Sequence, residues 1–141
     1  MDRNATAVWK GTLREGSGTL TTQSGALAAL PYSFKSRFED ESGKSGTNPE
    51  ELLGAAHAGC FAMQLSHFLA ENGTPATNID AKAVVTLVPG TGITGSALTL
   101  VATVPGLDAA KFEELADKAK AECPVSRALG AIKVSLDARL A

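Results

Sequence analysis

The chain reads as an α+β fold in which antiparallel sheets wrap around a long central helix and few other helices occur. Three observations predict it. An uncharged run fills positions 52–70 behind strong helix-start chemistry, period-two alternation marks strands on both sides of that run, and a second, amphipathic helical stretch precedes a final strand. With 141 residues the chain has the size of one domain, taken as 1–141: enough to bury a core and too short for two.

Ala7, Trp9, Gly11 and Leu13 alternate with Thr6, Val8, Lys10 and Thr12, a strand pattern that ends at the turn Glu15-Gly16-Ser17-Gly18. A hairpin partner falls at about 18–23, and Ser24-Gly25 turns the chain again. Pro31 withholds a ladder donor, so any strand over 30–38 is irregular or lies at a sheet edge. The acidic, Gly- and Ser-rich stretch 39–46 reads as a loop. Asn48 suits an N-cap, Pro49 the first helical position, and Glu50 and Glu51 the positive helix end, while Asn72-Gly73 supplies a stop; a helix over 49–71 follows. Its apolar and small residues go all the way round, so it is expected to be buried on every side. Strands over 79–88 and 93–104 join across Pro89-Gly90-Thr91-Gly92. Asp108 caps a helix with Phe112, Leu115, Ala116 and Ala119 on one face and Leu107 and Phe112 at staple positions. A helical turn after Cys123-Pro124 and a strand near 132–140 complete the order. One small sheet covers only one side of the long helix. The side rich in Gly54, Ala55, Ala56, Ala58 and Gly59 then needs a second copy of the chain, so a homodimer is expected.

Composition narrows the function. Charged residues make up 20% of the chain and aromatic ones 5%, which leaves a core of small and aliphatic side chains. The 13 basic and 15 acidic residues alternate in short runs, so no basic stripe follows a phosphate backbone and nucleic acid is not an expected partner. His57, Gln64, Ser66 and His67 interrupt the apolar run, which argues against a membrane span. Met1-Asp2-Arg3-Asn4 lacks the charged-then-apolar order of a secretory signal, and a cytoplasmic location is expected. In that reducing compartment the two cysteines are candidates for catalysis, metal binding or inert burial ahead of a static disulfide.

Cys60 lies about eleven residues into the long helix, too far from its start for the helix dipole to acidify it, and by position alone could be an inert core thiol. Cys123 precedes Pro124 near the start of a short helix and is by local physics the more acidic of the two. A metal site competes: His57 and Cys60 stand at i and i+3, His67 lies near the same face, and Cys123 would make a fourth N/S ligand. No phosphate-binding glycine loop and no G-x-S-x-G elbow appears, and Ser66 and His67 point about 100° apart on a helix, so hydrolase chemistry has little support.

Gly46-Thr47-Asn48-Pro49-Glu50-Glu51-Leu52, Ala55-Ala56-His57-Ala58-Gly59-Cys60-Phe61 and Cys123-Pro124-Val125-Ser126 closely resemble the osmotically inducible protein C (OsmC) and organic hydroperoxide resistance (Ohr) family. Trp9 and Tyr32-Ser33-Phe34-Lys35-Ser36-Arg37-Phe38-Glu39 resemble its OsmC branch. The resemblance implies an intertwined homodimer that reduces organic hydroperoxides without a cofactor or metal. It also implies a peroxidatic Cys60, a resolving Cys123, an arginine that holds the thiolate, Glu50 to orient that arginine, and an external dithiol, of lipoyl type, as reductant. Arg37 is preferred for the arginine over Arg14, the position that the Ohr branch would favour. Ten helical residues separate Glu50 from Cys60 by about 15 Å along the axis and about 80° around it. Glu50 would then serve the Cys60 of a partner subunit. The alternatives are a metal-binding protein using His57, Cys60, His67 and Cys123, and a non-catalytic stress protein.

Overall fold

A computed structural model describes residues 1–141, which divide into two compact units, Met1–Leu52 and Leu53–Ala141. In the first, strands β1 (Ala5–Lys10), β2 (Ser17–Thr22) and β3 (Leu30–Ser33) form an antiparallel sheet in the order β1-β2-β3. The first strand stops at Lys10, short of the expected Leu13. Gly11 takes φ 91°, and the Gly16 amide donates to the Thr12 carbonyl at 2.9 Å, so 12–16 is already turn. Pro31 sits in the edge strand, where its missing N–H breaks no ladder.

Gly18 lies opposite both Trp9 and Tyr32, whose rings close over it with centroids 5.2 Å apart. A methyl group there would come within 2.6 Å of the Tyr32 ring and collide with the Val8 carbonyl oxygen. Gly18→Ala is therefore expected to destabilise the protein by about 1–3 kcal/mol, checked as a lower urea midpoint; an unchanged midpoint would mean that the aromatic pair can part at no cost.

Over 34–38 the structure departs from the sequence reading: the chain does not continue as a strand but forms helix α1 (Phe34–Phe38). Ser33 caps it, and the Ser33 and Ser36 side chains each bond the other's backbone, a reciprocal capping pair that outweighs the local strand propensity. The loop over 39–46 is organised by Asp40. Its carboxylate accepts from the Ser42 hydroxyl at 2.6 Å and the Ser45 amide at 2.7 Å, and these bonds, the Ser42 hydroxyl foremost, hold its pKa well below the usual carboxylate range.

Helix α2 (Pro49–Glu71) starts as expected, with the Glu51 amide donating to the Asn48 side chain at 2.8 Å, and closes at Gly73 with φ 79°. In the second unit β4 (Asn78–Val88) and β5 (Gly92–Thr103) pair antiparallel. Strand β6 (Lys133–Leu140) joins β5 in parallel, which corrects the expected all-antiparallel arrangement. The chain leaves β5 and crosses back through α3 (Ala109–Glu122) and α4 (Pro124–Ala128), so it re-enters the sheet in the same direction. The core combines Phe61, Leu65 and Leu69 of α2, Leu98, Leu100 and Ala102 of β5, and Phe112, Leu115 and Ala119 of α3. Leu107 packs against this core with Phe112, as the staple requires.

Within the chain α2 is not buried all round: Ala55, Ala56, Gly59, Met63, Ser66 and His67 are exposed. Gly54, expected on that outward side, is buried instead, and a Cβ there would lie 3.2 Å from the Ala83 carbonyl oxygen of β4. The small residues therefore serve two purposes, close approach to the sheet at Gly54 and an uncovered stripe on the other side. No helix is long and apolar enough to cross a membrane.

Candidate functional site

Both cysteines are free thiols, and their sulfurs meet where the middle of α2 faces the junction of α3 and α4. Cys123 is fully buried, Cys60 partly so. Cys123 is both the C-cap of α3 and the N-cap of α4, and its sulfur accepts from the Ser126 amide at 3.5 Å. Burial opposes ionisation of Cys123, but the Ser126 amide foremost, with the Ser126 hydroxyl, the Cys60 thiol and the Val125 amide, brings its pKa below the usual thiol value. Burial pushes the Cys60 thiol up, and its role as donor to Cys123 pushes it further. Within one chain, then, Cys123 is the readier thiolate, as the sequence suggested.

His57 stands one turn before Cys60 and is completely buried. Its Nδ1 lies 2.7 Å from Ser96 Oγ on β5 and its Nε2 2.8 Å from Ser126 Oγ on α4. Burial lowers its pKa and keeps the ring neutral. Both ring nitrogens are thus occupied by serines, which removes His57 as a ligand in the arrangement the metal reading needed. His67 is exposed beside Glu71, at 3.5 Å, and no three His, Cys, Asp or Glu side chains converge to hold a metal ion. Ser96 and Ser126 were not anticipated as partners of His57. Ser96 left one trace in the sequence, a polar residue on the inward row that continues as Leu98, Leu100 and Ala102.

Arg37 and Glu50 form the second pair. The Arg37 guanidinium grips the Glu50 carboxylate through two bonds, 2.7 Å from NH2 and 3.2 Å from Nε, with the Glu50 side chain only 12% exposed. Pro49, at the start of α2, places Glu50 in the first turn, and α1 presents Arg37, whose guanidinium also lies 4.9 Å from the Phe38 ring centre. Arg14 instead stacks over Phe34 at 5.3 Å. Beside Arg37 opens a cavity of about 260 Å³ walled by Trp9, Leu13, Tyr32, Phe34 and Phe38. The apolar neighbours of Cys60 in the sequence do not line such a space: Phe61 is sealed in the core and Met63 is 77% exposed.

The second unit thus carries two free thiols, and the first unit a bidentate Arg37–Glu50 pair. The chain belongs to the OsmC-like protein family, which its residues 41–137 match. Over 137 residues it is 49% identical to peroxiredoxin OsmC of Escherichia coli (strain K12), covering 95% of this chain and 93% of that protein. Over 98 residues it is 37% identical to an organic hydroperoxide resistance protein of Xanthomonas axonopodis pv. citri (strain 306), covering 67% of this chain and 68% of that one. The crystal structure of the organic hydroperoxide resistance protein OhrB of Bacillus subtilis is similar at 28% identity with a TM-score of 0.71, covering 96% of this chain and 98% of that chain. The resemblance carried by the two cysteine motifs thus holds for the family and for the α+β fold.

Proposed function

We propose that the protein is a cytoplasmic thiol peroxidase that reduces organic hydroperoxides to alcohols with Cys60 and Cys123. The observation that carries this is the contact between two free thiols, Cys123 buried and Cys60 partly so, which suits a reversible disulfide. The Cys60 thiolate attacks one peroxide oxygen, the O–O bond breaks, the alkoxide leaves and takes a proton, and Cys60 becomes a sulfenic acid. Cys123 attacks that sulfur, the S–O bond breaks, water departs and a disulfide forms. An external dithiol, of lipoyl type, returns two electrons and restores both thiols.

The raised pKa of Cys60 asks for a positive charge beside it, and Arg37, fixed by Glu50, is the group proposed. Because Arg37 and Glu50 are joined in one chain, the pair would act together on the Cys60 of a partner, in an intertwined homodimer whose second copy covers the stripe of Ala55, Ala56 and Gly59. In this reading 1–141 is one domain, since α2 runs through both compact units.

Two measurements test the proposal. One equivalent of organic hydroperoxide should remove both titratable thiols and shift the mass by two hydrogens; thiols that persist would sink the peroxidase and favour a non-catalytic stress protein. A bulky aryl or tertiary alkyl hydroperoxide should also react at least about tenfold faster in stopped flow than hydrogen peroxide. The apolar cavity beside Arg37 can take up the hydrocarbon, each buried methylene contributing about 0.8 kcal/mol. Equal rate constants would mean that no such surface is used.

A further inference from the structure

The resolving half of the site contains a group that the two-cysteine scheme does not use. His57 is fully buried, spans 39 residues to Ser96 and 69 to Ser126, and has both ring nitrogens within 2.8 Å of serine hydroxyls. A neutral imidazole has one donor and one acceptor nitrogen, so one serine donates to the ring and the other accepts from it. Ser96 is held by its place in β5, between Val85 of β4 and Val134 of β6. Ser126 has no such anchorage. It lies in a five-residue helix, too short to hold its own geometry without tertiary support. Yet its amide and its hydroxyl, beside the Val125 amide, meet Cys123 Sγ on the α4 side.

We propose that His57 is a positioning residue for Cys123: anchored on Ser96, it holds Ser126 so that the Ser126 amide and hydroxyl both stay on the Cys123 sulfur. His57 and Cys60 lie one turn apart on α2. One rigid helix therefore carries the first sulfur and the device that sets the second in register with it. A fully satisfied polar bridge of this kind specifies one geometry where an apolar side chain of similar size would only fill space. The inference rests on the proposed redox pairing only for its consequence in turnover; the alignment of Cys123 stands on the contacts themselves. Cys60 is the titratable side chain that meets Cys123 directly, and the charged chain neighbours Glu122 and Arg127 are solvent-exposed.

The test is the thiolate absorbance of Cys123 against pH in a Cys60→Ser chain, where Cys123 is the single thiol. Loss of one hydrogen bond to a charged sulfur should weaken its acid constant about tenfold. Ser126→Ala, which deletes one oxygen, should produce that loss. His57→Asn can reach Ser96 but not Ser126 and should match it, whereas His57→Gln can still reach Ser126 and should titrate close to the parent. Adding His57→Asn to Ser126→Ala should bring no further shift. An unmoved titration in folded Ser126→Ala, or equal shifts for the Asn and Gln variants, overturns the proposal. Ser126→Ala decides alone if a His57 variant fails to fold. The titration needs no peroxide, so a protein without peroxidase activity would still answer it, and a failed titration would leave the peroxidase proposal standing.

Discussion

Replacing Cys60 by serine is expected to abolish hydroperoxide reduction completely, whereas Cys123→Ser should consume one equivalent of peroxide and then stall. Serine has no thiolate to attack the O–O bond, so the first variant lacks the attacking sulfur of the proposed scheme. The second keeps the attacking sulfur, which becomes a sulfenic acid with no thiol to condense with and drifts to the sulfinic state with excess oxidant. Mass spectrometry after one and after ten equivalents separates the two. The opposite outcome is physically open: within one chain Cys123 is the more acidic thiol, helped by Ser126 and by Cys60 itself, while burial raises Cys60. If Cys60→Ser still reacted in one turnover and Cys123→Ser were inert, the roles would be reversed, and the Arg37–Glu50 pair would not be the activator of Cys60.

Mixing Glu50→Ala with Cys60→Ser is expected to restore activity well above that of either variant by itself. Glu50→Ala leaves the Arg37 guanidinium without its bidentate partner and should cost about a hundredfold in turnover through misplacement. Cys60→Ser has none to lose. If each site takes its cysteines from one subunit and Arg37 with Glu50 from the other, a hybrid dimer holds one intact site and one site that lacks both. Refolding an equimolar mixture should then give about half of the wild-type rate per hybrid dimer. Activity no better than the mean of the two parents would mean that each subunit builds its own site, and the second copy would be left with covering α2 as its only role.

The elements that rest on local chemistry were legible in the chain. Asn48-Pro49-Glu50-Glu51 and Asn72-Gly73 marked both ends of α2, Asp108 marked the start of α3, and Pro31 marked an edge strand, because capping and ring constraints act within a few residues. Cys60 and Cys123 were legible as a pair through their flanking motifs, and the family followed from those motifs. Where the reading went wrong, the competing cause was also local but weaker in signal: a Ser33–Ser36 capping pair turned an expected strand into α1.

Long-range pairing decided the rest. Whether β6 lies parallel or antiparallel to β5 depends on the crossover through α3 and α4, which strand alternation does not encode. Uniform small residues on α2 could not tell which of them, Gly54 or Gly59, meets the sheet, since a helix without a stripe has no preferred face in the sequence. Ser96, 39 residues from His57, met it only because β5 turned that hydroxyl inward, and this converted a candidate metal ligand into a fully bonded bridge between two serines. A hydrogen-bond partner is chosen by proximity in space, and proximity between distant positions is a product of packing.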